Sequence, residues 1–212
     1  MPCLTGTALV QAVPICFRWH AGMSASQKRK NVAALHDAAD QRGFHRILEI
    51  STKSDMEIGR RLSAFHQKLR IEDRDASLES VYHASKVFEC GGPYIELMDK
   101  SPRDAKQDER LKSSGKLVMF ELEGKRYPLT PATVFYDWLY VRAISVARDW
   151  LRRLSQVDGF SDIEFNPEKS VNCQARSCAA FVSMEQRGLL DCALESFQDF
   201  YMIYLEHDVG AV

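Results

Sequence analysis

The segment opened by Thr130-Pro131 constrains the fold of this chain most. Proline fits the first turn of a helix, where its missing N–H costs nothing. From there a helix is predicted to about Gln156, the longest in the chain, with Val134, Phe135, Trp138, Leu139 and Ile144 as its packing residues. An element of that length and polarity needs a core to lie against. With 212 residues, 45% of them hydrophobic, the chain can build one without a metal or disulfide framework. The strands predicted elsewhere are too few and too scattered for a doubly wound sheet, which leaves a helix-rich α+β fold. No repeat, low-complexity tract or long linker marks a boundary, so residues 1–212 read as one domain, with 1–50 as its strand-helix-strand beginning.

Local signals place the other elements. Ile15–Trp19 reads as a strand. Ser24 with Gln27 has capping-box spacing and starts a helix ending near Gly43, and Phe44–Ser51 is a second strand candidate. Ser54 and Glu57 repeat the spacing, and Ile58, Leu62, Phe65 and Leu69 follow at helical intervals. A helix over about Ser77–Glu89 stops at Gly91-Gly92-Pro93, and a charged helix runs from Ser101-Pro102 to Gly115. Leu117–Leu122 and Lys125–Pro128 form a hairpin around Glu123-Gly124. Ile163–Phe165 is a short strand before a turn at Asn166-Pro167, and helices cover about Cys173–Arg187 and Leu190–Leu205.

Composition excludes several classes. Six cysteines without CxxC pairs or nearby histidine ligands offer no zinc site and suit a reduced, cytoplasmic protein. The N-terminus lacks a basic region and carries Pro14, which argues against a signal peptide or membrane span. A net charge of −1 excludes coating of nucleic acid by bulk charge, so an anionic ligand must be held by local clusters.

The densest group of reactive side chains lies in the Ser77–Glu89 segment. Seven helical residues advance by about 700° and rise about 10 Å, so Glu79 and Lys86 share a face with His83 between them. Leu78, Val81, Ser85 and Phe88 take the opposite, packing side. A carboxylate, imidazole and amine together suit acid–base or imine chemistry, and they equally suit a solvated stripe; spacing leaves both open. Lys28, Arg29 and Lys30 in a first helical turn oppose the helix dipole, which fits either an anion site or an exposed basic turn. The mixed charges from Arg103 to Lys112 fit a self-paired solvent face. Trp138 suits the core or a stacking platform, Asp137 is an acidic residue among aromatics, and the glycine-rich approach to Tyr94 suits a ligand loop or a helix stop. Asp162 and Glu164 fall on one side of the Ile163 strand; with Asn172 and Gln174 close behind, they offer ribose-binding groups or a wet strand edge.

Glu79-Ser80-Val81-Tyr82-His83-Ala84-Ser85-Lys86 resembles the Glu-x-Tyr-Phe-Gln-Ala-x-Lys signature of the NADAR (YbiA-like) N-glycosidases. Tyr82 stands for the aromatic residue, and His83 replaces the glutamine. Leu62-Ser63-Ala64-Phe65 is similar to that family's Leu-Ser-Asn-Phe element, with Ala64 for Asn. Further blocks extend the likeness along the chain: Trp19–Gly22, Ser26–Lys30, Leu48–Ser54, Ser85–Phe88, Gly91–Tyr94, Phe135–Tyr140, Asp162–Pro167 and Asn172–Ala175. Together they resemble the NADAR branch that accompanies DarT-type DNA ADP-ribosyltransferase toxins.

The resemblance implies an antitoxin that removes ADP-ribose from guanine in DNA, with Lys86 capturing the anomeric carbon as an imine and Glu79 moving protons. Asp162 is implied as a ribose anchor or second carboxylate. Ser63, Phe65, Tyr82, His83, Tyr94, Asp137, Trp138, Asn172 and Gln174 are candidate substrate contacts, and Lys28, Arg29 and Lys30 candidate phosphate contacts. No cofactor is implied beyond the ADP-ribose of the substrate. The expected partners are ADP-ribosylated DNA, single-stranded or with the base extruded, and a DarT-type toxin, with no membrane. Two other readings compete: an N-glycosidase of riboflavin-pathway intermediates, and a non-catalytic ADP-ribose-binding or toxin-binding module.

Overall fold

A computed structural model describes residues 1–168 and 170–207. Contacts divide the chain into two compact units, Met1–Ser63 with Ala147–Val212, and Ala64–Val146. The second is thus inserted into the sequence of the first.

The first unit starts with a loop closed by the Pro2–Val10 bridge. Ile15–Trp19 is not a strand: residues 11–23 have no regular structure. Buried Asn31 takes the place of a partner strand, accepting from His20 N at 2.6 Å and donating to His20 O at 2.9 Å. Helix α1 (Ala25–Asp40) begins as predicted, Ser24 Oγ accepting from Gln27 N at 3.2 Å. Strand β1 (Ile47–Glu49) and helix α2 (Glu57–Leu62) follow. A Cβ on Gly59 would lie 2.1 Å from Glu49 O, so glycine lets α2 approach β1. The predicted helical run through Phe65 and Leu69 ends at Leu62, because Ser63 adopts extended ψ.

In the second unit, Leu69 belongs to strand β2 (Lys68–Ile71), which pairs antiparallel with β3 (Arg74–Ser77). Lys68 and Arg70 face water while Leu69 and Ile71 are buried, an alternation that outweighs the helical spacing. Ser77 caps helix α3 (Leu78–Ala84). The helix stops well short of Glu89, and Lys86–Phe88 becomes strand β4. Its partner is β5 (Leu117–Leu122), with Lys86 opposite Phe120. Between them, Ser101 and Pro102 start the charged helix as predicted, but it divides into α4 (Pro102–Gln107) and α5 (Arg110–Ser113). Asp108 causes the break by accepting from Arg110 N at 3.1 Å. β5 forms the predicted hairpin with β6 (Lys125–Tyr127); Glu123 and Gly124 both have positive φ, as a tight primed turn requires. Helix α6 (Val134–Ser145) supplies the core, with Phe135 stacked on Phe120 at 4.5 Å between centroids. It neither opens at Pro131 nor is the longest helix described, α1 being longer, and it falls short of Gln156: Ser145 Oγ bonds back to Val141 O at 2.6 Å, and Ala147 leaves helical geometry.

The chain returns to the first unit through helix α7 (Arg148–Leu151), a 3-10 stretch at Arg152–Gln156 and strand β7 (Gly159–Ser161), which pairs parallel with β1. The last strand therefore precedes Ile163–Phe165, and Asp162–Phe165 is a turn in which Asp162 Oδ1 accepts from Glu164 N at 3.0 Å. Helix α8 (Gln174–Gln186) packs next, followed by α9 (Leu190–Glu195) and α10 (Phe197–Glu206). The predicted Leu190–Leu205 helix is split by Ser196, which turns extended and caps α10 through Asp199 N. With 47% helix, 15% strand and, among the described residues, no sheet wider than three strands, the fold is helix-rich α+β. Among the described residues, no helix is long and apolar enough to cross a membrane.

Candidate active site

Glu79, His83 and Lys86 come together in the second unit, by a different route from the one the spacing suggests. α3 carries Glu79 and His83 on successive turns, and the first residue of β4 brings Lys86 alongside. Lys86 Nζ lies 3.2 Å from His83 Nδ1 and 4.7 Å from the centre of the Tyr82 ring. His83 Nε2 lies 3.9 Å from Glu79 Oε2, beyond hydrogen-bond range. Tyr136, from α6, donates to Glu79 Oε1 at 2.9 Å. Tyr82 meets Tyr136 edge to face at 5.2 Å and Phe120 at 5.4 Å. The cluster rests on an aromatic floor and is no solvated stripe: the Glu79 side chain is 18% exposed and that of His83 8%.

Burial sets the electrostatics. It is the largest influence on Glu79 and raises its pKa, against the Tyr136 hydroxyl, Lys106 and Lys86, which favour the charged form. Burial also brings Lys86 down to about 8, opposed by Glu79 and assisted by Lys106. His83 falls to about 3 through burial and the two lysine charges, and so stays neutral at physiological pH. An amine and a carboxyl each pushed toward the neutral form can divide the roles of nucleophile and proton donor.

The first unit holds a separate polar centre around Glu49, which is 1% exposed. Its carboxylate accepts from Ser51 Oγ and Ser161 Oγ at 2.6 Å and from Ile163 N at 2.9 Å. Asp162, hydrogen-bonded to Gln174, is raised to about 7, first by burial and then by the Glu49 charge. It borders a cavity of about 280 Å³ whose wall also includes Phe44, Phe160, Phe165 and Arg176. Lys28 does not stand free: its Nζ contacts Glu164 Oε1 at 2.7 Å, while Thr52 donates to Oε2. Arg29 and Lys30 are exposed. Ser63 Oγ and Asn172 Oδ1 are buried without a hydrogen-bond partner among the described residues.

The remaining predicted contacts belong to the second unit. Phe65 is 54% exposed on a 3-10 turn. Tyr94 lies under the Arg110 guanidinium at 4.3 Å, with its hydroxyl 2.5 Å from Ser114 Oγ. Asp137 and Trp138 are buried on α6, Trp138 against Tyr127 and Phe135. Tyr136, Lys106 and Glu49 were not singled out by the sequence. The acidic residue between Leu48 and Ile50 is a local signal for a buried carboxylate, whereas nothing local links Tyr136 or Lys106 to residue 79.

The family profile matching this chain, over residues 1–211, is described as DarT1-associated NADAR antitoxin. No curated protein matches it.

Proposed function

The chain belongs to the DarT1-associated NADAR antitoxins, and from that premise we propose that it is a cytoplasmic N-glycosidase. It removes ADP-ribose from ADP-ribosylated guanine in DNA and so reverses the toxin's modification. The observation that carries this reading is the part-buried Glu79 and Lys86, each pushed toward its neutral form by burial. A lysine at about pKa 8 is neutral in roughly one molecule in ten at pH 7, against fewer than about one in a thousand for a free lysine.

Cleavage of the base–ribose bond builds oxocarbenium character at the anomeric carbon. Lys86 Nζ bonds to that carbon as the bond to guanine breaks, and protonated Glu79 supplies the proton that neutralises the departing base. Opening of the sugar ring gives the imine. Glu79, now a carboxylate, takes a proton from the water that hydrolyses it, releasing ADP-ribose and restoring the amine. Asp162 is proposed to anchor ribose and Lys28, Arg29 and Lys30 to meet phosphate. The target base is buried in a duplex, so the substrate is single-stranded or has the base extruded.

The test is incubation of an ADP-ribosylated guanine oligonucleotide with wild type, Lys86→Ala and Glu79→Gln. Release of ADP-ribose by wild type alone is expected, and borohydride should trap the adduct on Lys86. An adduct on any other residue removes the imine assignment. Release of ribosyl phosphate from pyrimidine intermediates with the oligonucleotide untouched identifies a metabolic glycosidase instead. Tight binding without turnover identifies a reader.

A further inference from the structure

We propose that His83 is the positioning residue for Lys86: its Nδ1 lone pair fixes where the lysine nitrogen points. The inference rests on the reading of Lys86 as nucleophile and adds to it a role for the neighbouring imidazole.

The ring is 6% exposed. Three groups lie against it, Glu79 and Tyr82 on its own helix and Lys86 on β4, and the exposed Lys106 of α4 acts on it through its charge. Burial of the ring beside the Lys86 cation, with the Lys106 charge adding to it, makes a further positive charge unfavourable, so the ring is neutral. A neutral imidazole has one N–H and one lone pair. An ammonium offers donors only, so the nitrogen 3.2 Å from Lys86 Nζ must carry the lone pair. The proton therefore sits on Nε2, facing Glu79 Oε2. The Tyr82 ring beneath Nζ attracts the charge but does not set the direction of an N–H bond.

The consequence appears when Lys86 loses a proton. The neutral amine keeps two N–H bonds and gains a lone pair. Donation of one N–H to Nδ1 holds that lone pair directed away from the imidazole. Without the acceptor, Nζ rotates freely, and lost orientation costs reactivity even where the pKa favours the neutral form.

Asparagine places its Oδ1 where His Nδ1 lies, so His83→Asn keeps the acceptor and His83→Phe removes it. Acylation of Lys86 by a small amine-reactive ester, followed across pH by peptide mass spectrometry, reads the amine without any substrate. The midpoint should be near 8 in wild type, close to that in His83→Asn, and lower in His83→Phe, whose ammonium has lost its acceptor. Single-turnover release of ADP-ribose should stay within about threefold for His83→Asn and fall by about 100-fold for His83→Phe, with oligonucleotide binding retained. An unshifted acylation midpoint in folded His83→Phe overturns the proposal. So does equal loss in both variants, or a nitrogen-15 spectrum placing the proton on Nδ1. If wild type releases no ADP-ribose, the glycosidase reading fails, and the acylation midpoints still decide the role of His83.

Discussion

At Glu79 and Lys86, burial acts against the charge on each side chain and favours both neutral forms. Each feels the other's charge, and in the proposed mechanism the reactive state holds one proton between them, on the carboxyl. The single-turnover rate should therefore follow a bell, with its alkaline limb centred near pH 8 where Lys86 titrates; stopped-time release assays across pH measure it. Lys106 is exposed, and its charge lowers the pKa of both residues. Lys106→Met should move both limbs upward by a few tenths of a pH unit, the small size reflecting solvent screening. Opposite movements of the two limbs would mean that Lys106 acts through structure. Tyr136→Phe removes a hydrogen bond that favours the Glu79 carboxylate and should raise the acid limb alone.

Among elements, the turn from α3 into β4 matters most, because it brings Lys86 alongside His83. Gly92 holds the loop that follows: its φ is +88°, and a Cβ there would lie 2.2 Å from Lys86 O. Gly92→Ala should cost about 1–3 kcal/mol of stability, measured by urea denaturation, and should lower release of ADP-ribose because the Lys86 backbone must shift. The sequence was readable where an element is set by its neighbours in the chain. Ser24 and Ser101 cap their helices, and Glu123-Gly124 makes its turn, as local chemistry dictates. It was misleading where a distant partner decides. Lys86–Phe88 leaves the helical pattern to pair with Leu117–Phe120, and Ile15–Trp19 has strand-like residues but no partner strand. Lys86 still meets His83 because the chain leaving the end of α3 brings its Nζ beside the imidazole.

Across the molecule, each unit carries an acid whose pKa is raised by burial, Glu79 in one and Asp162 in the other. Asp162 is raised to about 7 from 3.8, so the folded chain binds an extra proton between those values. Its stabilising contribution is complete below about pH 4 and is lost as the pH rises through 7. Asp162→Asn should therefore raise the melting temperature at pH 8, by the equivalent of about 1–3 kcal/mol, and leave it unchanged at pH 4. Calorimetry at the two pH values checks this. The helix-rich α+β class was legible from the α6 segment and the scarcity of strands. The division into two units was not, since nothing in composition changes at Ser63 or Val146.

The inserted arrangement also has a cost in time. Glu49 is sealed inside the first unit by Ser161 and Ile163, more than a hundred residues later in the chain. At ribosomal speeds of about 5–20 residues per second, roughly 6–20 s separate the carboxylate from its donors. During that interval β1 has no β7 to pair with. A newly made copy thus completes this centre only well after its translation starts.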